Sequence, residues 1–129
     1  MGLKEIKDGG VTSAQGFSAG GIAAGFHEDK SRMDLAVVQS DDPCCATGVF
    51  TTNKFAAAPV RLNRSLLGVL GAGVAKAVVI NSGIANAATG AKGVENAKKV
   101  RKIAADALGC TDEDILVAST GVIGEQLDL

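Results

Sequence analysis

A chain of 129 residues is long enough for one domain or part of one. Its 13 Lys and Arg nearly balance 14 Asp and Glu, a formal net charge of −1, which argues against a basic nucleic-acid-binding module. A hydrophobic content of 47% excludes wholesale disorder, and an aromatic content of 3%, four Phe with no Tyr or Trp, leaves little for base stacking or aromatic cages.

Met1 to Lys7 has no apolar core and does not read as a signal peptide. Residues 1–10, ending in Gly9-Gly10, read as a loose lead-in, with 11–129 as a single unit. Val11 to Gly25 is rich in Gly and Ala, which implies turns and close backbone approaches. His27 to Arg32 is a charged turn. Leu35-Ala36-Val37-Val38, between Asp34 and Asp41-Asp42-Pro43, reads as a buried strand. Thr47 to Thr52, rich in β-branched and aromatic residues, predicts a second strand, and Pro59-Val60-Arg61-Leu62 a third. Asn63 or Ser65 is placed to cap a short helix through Leu70, ended by Gly71 and Gly73.

Ala75 to Ile80 predicts a further strand. The clearest helix is Val94 to Leu108, where Val94, Ala97, Val100, Ala104 and Leu108 fall on one stripe. Glu95 is spaced to pair with Lys98 or Lys99, and Gly109 is a natural stop. Thr111 with Asp112, Glu113 and Asp114 caps or turns the chain into a last strand, Ile115 to Ala118. Strands and helices are interspersed, so the fold class is α/β, with mixed sheet layers and helices. No apolar run approaches the ~18 residues of a membrane span. The cysteines, Cys44, Cys45 and Cys110, are odd in number and lack Cys-x-x-Cys spacing. They predict neither a disulfide framework nor a zinc site, and fit a reduced, cytoplasmic setting.

Three polar loops follow strand-like runs: Thr51 to Lys54, Asn81 to Asn86, and Ser119 to Gly124. Loops at strand ends are where sites are usually built. In the third, Thr120 and Gly121 offer a hydroxyl and a backbone N–H side by side, with no Cβ on Gly121 to obstruct an acyl group. That pairing suits an oxyanion hole; the plainer alternative is an ordinary hydrogen-bonded turn. Asn81 and Ser82 either meet a substrate's polar groups or satisfy loop backbone. His27, the only histidine, lies among Glu28, Asp29 and Lys30 and reads as a solvated turn rather than a catalytic base. Asp41-Asp42 and Asp112 to Asp114 lack calcium-loop spacing, and nothing beside Cys45 in sequence would lower its pKa. No metal site is expected.

Several motifs occur together in a recognisable order. Gly16-Phe17-x-Ala19-x-Gly21-Ile22-Ala23-Ala24-Gly25 comes first, then Asp34-Leu35-Ala36, Gly48 to Asn53, and Ala57-Ala58-Pro59-Val60. Asn81-Ser82-Gly83-x-Ala85-Asn86-Ala87-x-Thr89-Gly90 and Ala118 to Gly124 follow. From about Val11 onward this resembles the N-terminal part of the ornithine acetyltransferase (glutamate N-acetyltransferase) family. The resemblance implies an N-terminal-nucleophile acetyltransferase fold, of which this chain is a partial α chain completed by a β chain. It implies acetyl transfer from N2-acetylornithine to glutamate in arginine biosynthesis, by ping-pong chemistry through an acetylated N-terminal Thr of the β chain. It further implies an α–β hetero-oligomer such as a heterotetramer, made by autocatalytic cleavage. Some members accept acetyl-CoA, which would be a donor substrate and not a resident cofactor. The family's oxyanion hole maps onto Thr120 and Gly121, while its nucleophilic Thr falls beyond Leu129, so this chain alone is expected to be inactive. Ile84 stands where the family usually has Asn. A non-catalytic scaffold of the same fold, or a related self-cleaving aminopeptidase, is the alternative.

Overall fold

The computed structural model describes residues 5–68 and 71–129. Part of the expected lead-in (Met1 to Lys4) and the expected helix end at Leu70 therefore lie outside the described residues. The architecture is a four-stranded mixed sheet with two helices on one face. The strands are β1 (Phe17–Ile22), β2 (Leu35–Thr47), β3 (Ala72–Asn81) and β4 (Ile115–Ser119). The helices are α1 (Ala58–Leu67) and α2 (Gly90–Leu108). The sheet order is β1-β2-β3-β4; β1 and β3 run antiparallel to β2, and β4 runs parallel to β3. The β3-α2-β4 segment is thus a crossover unit, which a parallel pair requires.

Period-two alternation decides which side chains meet the helices. Ala77 and Val79 of β3 and Ile115 and Val117 of β4 are buried against Ala58 and Leu62 of α1 and Ala97 and Ala105 of α2. Leu35 and Val37 of β2 join this core from its edge. Small alanines on α2 let a 19-residue helix lie close to the sheet. The segment after Gly124 then crosses the start of α2. Asn96 donates to the Gln126 side chain (3.1 Å) and to the Leu127 carbonyl (3.3 Å), and Leu127 is buried.

Several expectations hold with wider bounds. The strand at Leu35 to Val38 continues to Thr47, because a bulge between Gln39 and Cys44 absorbs the Asp41-Asp42-Pro43 run read as a boundary. A bulge is where a sheet accepts Pro. The helix at Val94 begins earlier, at Gly90, and Gly109 ends it in the left-handed conformation. Glu95 pairs backward with Lys92 (3.3 Å), not with Lys98 or Lys99. Thr111 and Asp114 cap each other across one 3-10 turn.

Other expectations are corrected. Phe17–Ile22, within the segment read as turns, is a strand exposed along its length, held by pairing with β2. Thr47 closes β2, but Gly48 to Asn53 is irregular and not a strand. Asn53 N–H donates to Thr51 Oγ1 (3.1 Å) and Phe55 N–H to Asn53 Oδ1 (2.9 Å), local bonds that compete with a sheet ladder. Pro59 to Leu62 is helix. Pro59 occupies the first turn of α1, where a missing N–H costs nothing. Asn63 and Ser65 accordingly lie inside α1, whose N-cap is Ala57. Cys44, Cys45 and Cys110 are free thiols. No helix among the described residues is long and apolar enough to cross a membrane.

Candidate active site

Because β3 and β4 are parallel neighbours, the loops that leave their C-terminal ends are neighbours too. Asn81 pairs with Ser119, and an isolated bridge joins Ile84 to Val122. Thr120 N–H donates to the Asn81 carbonyl (3.1 Å) and Val122 N–H to the Gly83 carbonyl (2.9 Å). Ala85 N–H returns a bond to the Val122 carbonyl (2.9 Å). The N–H between them, on Gly121, has no partner among the described residues, and neither has the exposed Thr120 hydroxyl. Two unused donors therefore sit side by side on a loop whose flanking groups are fixed. They open onto a cavity of about 540 Å³ that also touches Ser82, His27 and Arg32.

The glycines here serve close approach. Gly121 holds φ at +132°, and a Cβ on it would lie 2.2 Å from the Gly83 carbonyl carbon. Gly83, at φ +104°, is itself pressed on the Phe26 carbonyl oxygen, 2.4 Å from where its own Cβ would be. Three backbones thus stack as Phe26, Gly83 and Gly121. The expectation that Gly121 is glycine to leave room for an acyl group gives way to a packing reason: only glycine fits against its neighbour.

Asp34 holds the outermost of these layers. Its carboxylate is buried and accepts from the Ala24 N–H (2.6 Å) and the His27 N–H (2.9 Å). Burial pushes its pKa up, but backbone donors at Ala24, His27, Phe26 and Gly25 outweigh that and hold it below the ordinary value. The Asp34 carbonyl also accepts from Ser82 N–H (2.8 Å), so one residue ties the β1–β2 turn to the β3 loop. Sequence reading passed over it. The available signal was an acid closing a charged turn before an apolar strand.

The remaining candidates separate. Asn81 is buried and donates to the Ile84 carbonyl (2.9 Å); Asn86 is fully buried, donating to the Gly93 carbonyl (2.9 Å) and accepting from Thr89 Oγ1 (2.8 Å). The Asn81 carboxamide thus holds its own loop, and the Asn86 carboxamide holds the first turn of α2. Ile84 contributes its backbone to the bridge with Val122, a role indifferent to its side chain. His27 does reach the cavity, but its Nε2 lies 3.0 Å from Arg32 Nη1. Asp29 N–H approaches the His27 Nδ1 (3.3 Å), so both ring nitrogens have neighbours within the same turn. Thr51 to Lys54 does not touch this cavity. Asp112 to Asp114 forms the capped turn before β4, and no three His, Cys, Asp or Glu side chains among the described residues converge as a metal site.

A four-stranded mixed sheet backed by helices on one face, with the loops after two parallel strands joined at their ends, defines an α/β fold. Residues 18–129 match the ArgJ family, and the chain belongs to it. It is 52% identical over 122 residues to the arginine biosynthesis bifunctional protein ArgJ of Gloeobacter violaceus, covering 95% of this chain and 29% of that protein. With the ArgJ of Dehalococcoides mccartyi it is 46% identical over 125 residues, covering 96% and 30%. The crystal structure of ArgJ from Bacillus halodurans superposes with a TM-score of 0.86 at 39% identity, covering 95% of this chain and 62% of that one. Ornithine acetyltransferase of Mycobacterium tuberculosis, solved with ornithine, gives 0.85 at 37%, covering 95% and 64%. The chain thus spans about 30% of the length of these curated relatives.

Proposed function

We propose that this chain is the N-terminal portion of an ornithine acetyltransferase, with residues 11–129 forming part of a single acetyltransferase domain. It acts with a polypeptide that carries an N-terminal Thr. That Thr takes the acetyl group from N2-acetylornithine, and glutamate then takes it from the acetyl-threonine. Acetyl-CoA is an alternative donor substrate. The setting is cytoplasmic and the assembly an α–β hetero-oligomer.

The observation that carries this reading is the pair of unused donors at Thr120 and Gly121 on a loop braced by Asn81 and Gly83. When the nucleophile attacks the acetyl carbonyl, the oxygen becomes an alkoxide. A hydroxyl and an N–H already in place stabilise that charge without reorganising. The chain's own contribution is thus electrostatic and positional, and the nucleophile comes from the partner polypeptide. A partner is supported by the second face of the sheet. Ala36, Val38, Val78, Ile80, Leu116 and Ala118 share it by register, no helix among the described residues covers it, and Ile80 is 37% exposed. The test is an assay of the chain reconstituted with the remaining length found in its relatives. Acetylornithine plus glutamate should turn over, and a peptide amide should not. Peptide cleavage would favour the aminopeptidase, and inactivity of the assembled complex in both assays would favour a scaffold.

A further inference from the structure

Charge is segregated along this nearly neutral chain. Between Asp42 and Glu95 there is no acidic residue, while Lys54, Arg61, Arg64, Lys76 and Lys92 all fall there. Arg61 and Arg64, one turn apart on α1, line an open cavity of about 920 Å³ with Phe50, Thr51 and Thr52. No carboxylate lines it, and the ion pairs found among the described residues involve neither arginine. The wall is organised: Arg64 donates to the Thr51 carbonyl and lies 5.7 Å from the centre of the Phe50 ring, which fixes the loop to the helix. Arg61 also borders a smaller cavity of about 100 Å³, beside Lys54 and the first turn of α2, again without an acid.

We propose that this cleft is a binding site for a phosphate group, free or as the ester of a small molecule, distinct from the Thr120 cavity. Gly71, on its wall, precedes β3, whereas Ser82 and Thr120 follow β3 and β4. Ten residues of strand separate the two sites, roughly 30 Å. Two guanidinium forks and the Thr51 and Thr52 hydroxyls offer more donors than the two oxygens of a carboxylate can use. A phosphate presents three terminal oxygens and nearly two charges at neutral pH, matching two unpaired guanidinium groups. The remaining open volume beside Phe50 accommodates an organic moiety. The assignment does not depend on acetyl transfer.

The experiment is an amide and guanidinium NMR titration of the 129-residue chain at fixed ionic strength, with inorganic phosphate, adenosine monophosphate and acetate as separate probes. Saturable shifts confined to Gly48, Thr51, Thr52, Gly71 and the two arginine side chains are expected with both phosphates and not with acetate. Arg61→Gln should weaken binding about tenfold and Arg61→Lys less, because it keeps the charge and loses the fork. Tighter binding of the nucleotide assigns an ester ligand; equal binding assigns free phosphate. Shifts that do not saturate, that acetate reproduces, that saturate with unchanged affinity in a well-dispersed Arg61→Gln spectrum, or that centre on Thr120 would overturn the proposal.

Discussion

Gly121 and Thr120 are adjacent, but substitutions at them report different things. A Cβ at position 121 collides with the Gly83 backbone at a φ of +132°, so Gly121→Ala deforms the loop before any substrate arrives. It should lower stability by about 1–3 kcal/mol, read from urea denaturation of the chain. A loss of activity in that variant therefore says nothing specific about an oxyanion. Thr120→Val keeps shape, removes only an unbonded hydroxyl, and is the informative change. Asp34 gives the site a pH signature. Its folded pKa is lowered, so its contribution is complete above the unfolded value of about 3.9 and is lost as pH falls through the folded value. Exchange protection of the Ala24 and His27 amides should be level from pH 7 to about 4 and collapse below. Asp34→Asn should remove it already at pH 7, since one acceptor oxygen would then face several N–H donors.

At the scale of the element, β4 is one of the sheet's two edge strands and is guarded by a side chain. Asn63 of α1 donates to the Val117 carbonyl (2.8 Å) and accepts from the Val117 N–H (3.0 Å), imitating one rung of a missing strand. Asn63→Ala should cost about 1–3 kcal/mol in urea denaturation, because both Val117 groups would lose their partners; a change below about 0.5 kcal/mol would contradict this role. In sequence Asn63 reads as a helix cap, since pairing across 54 residues leaves no local mark. The elements that were legible carry their own periodicity: Leu35 to Val38, Ala75 to Ile80 and Ile115 to Ala118 as apolar runs, and α2 as a stripe ended by Gly109. Those that were not are set by context. Phe17–Ile22 is a strand because β2 offers an edge, and Pro59 opens a helix that its neighbours Val60 and Leu62 disguised as a strand. For the site, sequence supplied Thr120 and Gly121. The parallel pairing that joins them to Asn81 and Gly83, and leaves Thr51 to Lys54 elsewhere, is a property of the topology.

For the whole molecule, the unequal faces of the sheet are the governing fact. Val79 is buried under the helices; Val78, the residue before it, faces the side that no helix among the described residues covers. Val79→Arg should unfold the chain, as seen by circular dichroism, because it buries an unpaired charge. Val78→Arg should leave the isolated chain folded while preventing assembly with the remaining family polypeptide, as read by size-exclusion chromatography. Equal behaviour of the two variants would contradict the two-faced account. A face of this kind was foreshadowed only by family resemblance, because the runs on β2, β3 and β4 are apolar at consecutive positions and do not say which side is covered.

The most direct test of the central claim is the turnover number for acetyl transfer from N2-acetylornithine to glutamate by the assembled complex, with Thr120 and with Thr120→Val. The account predicts that kcat falls about 10²–10³-fold while the complex assembles and melts as before. Undiminished kcat in an intact Thr120→Val complex would contradict it.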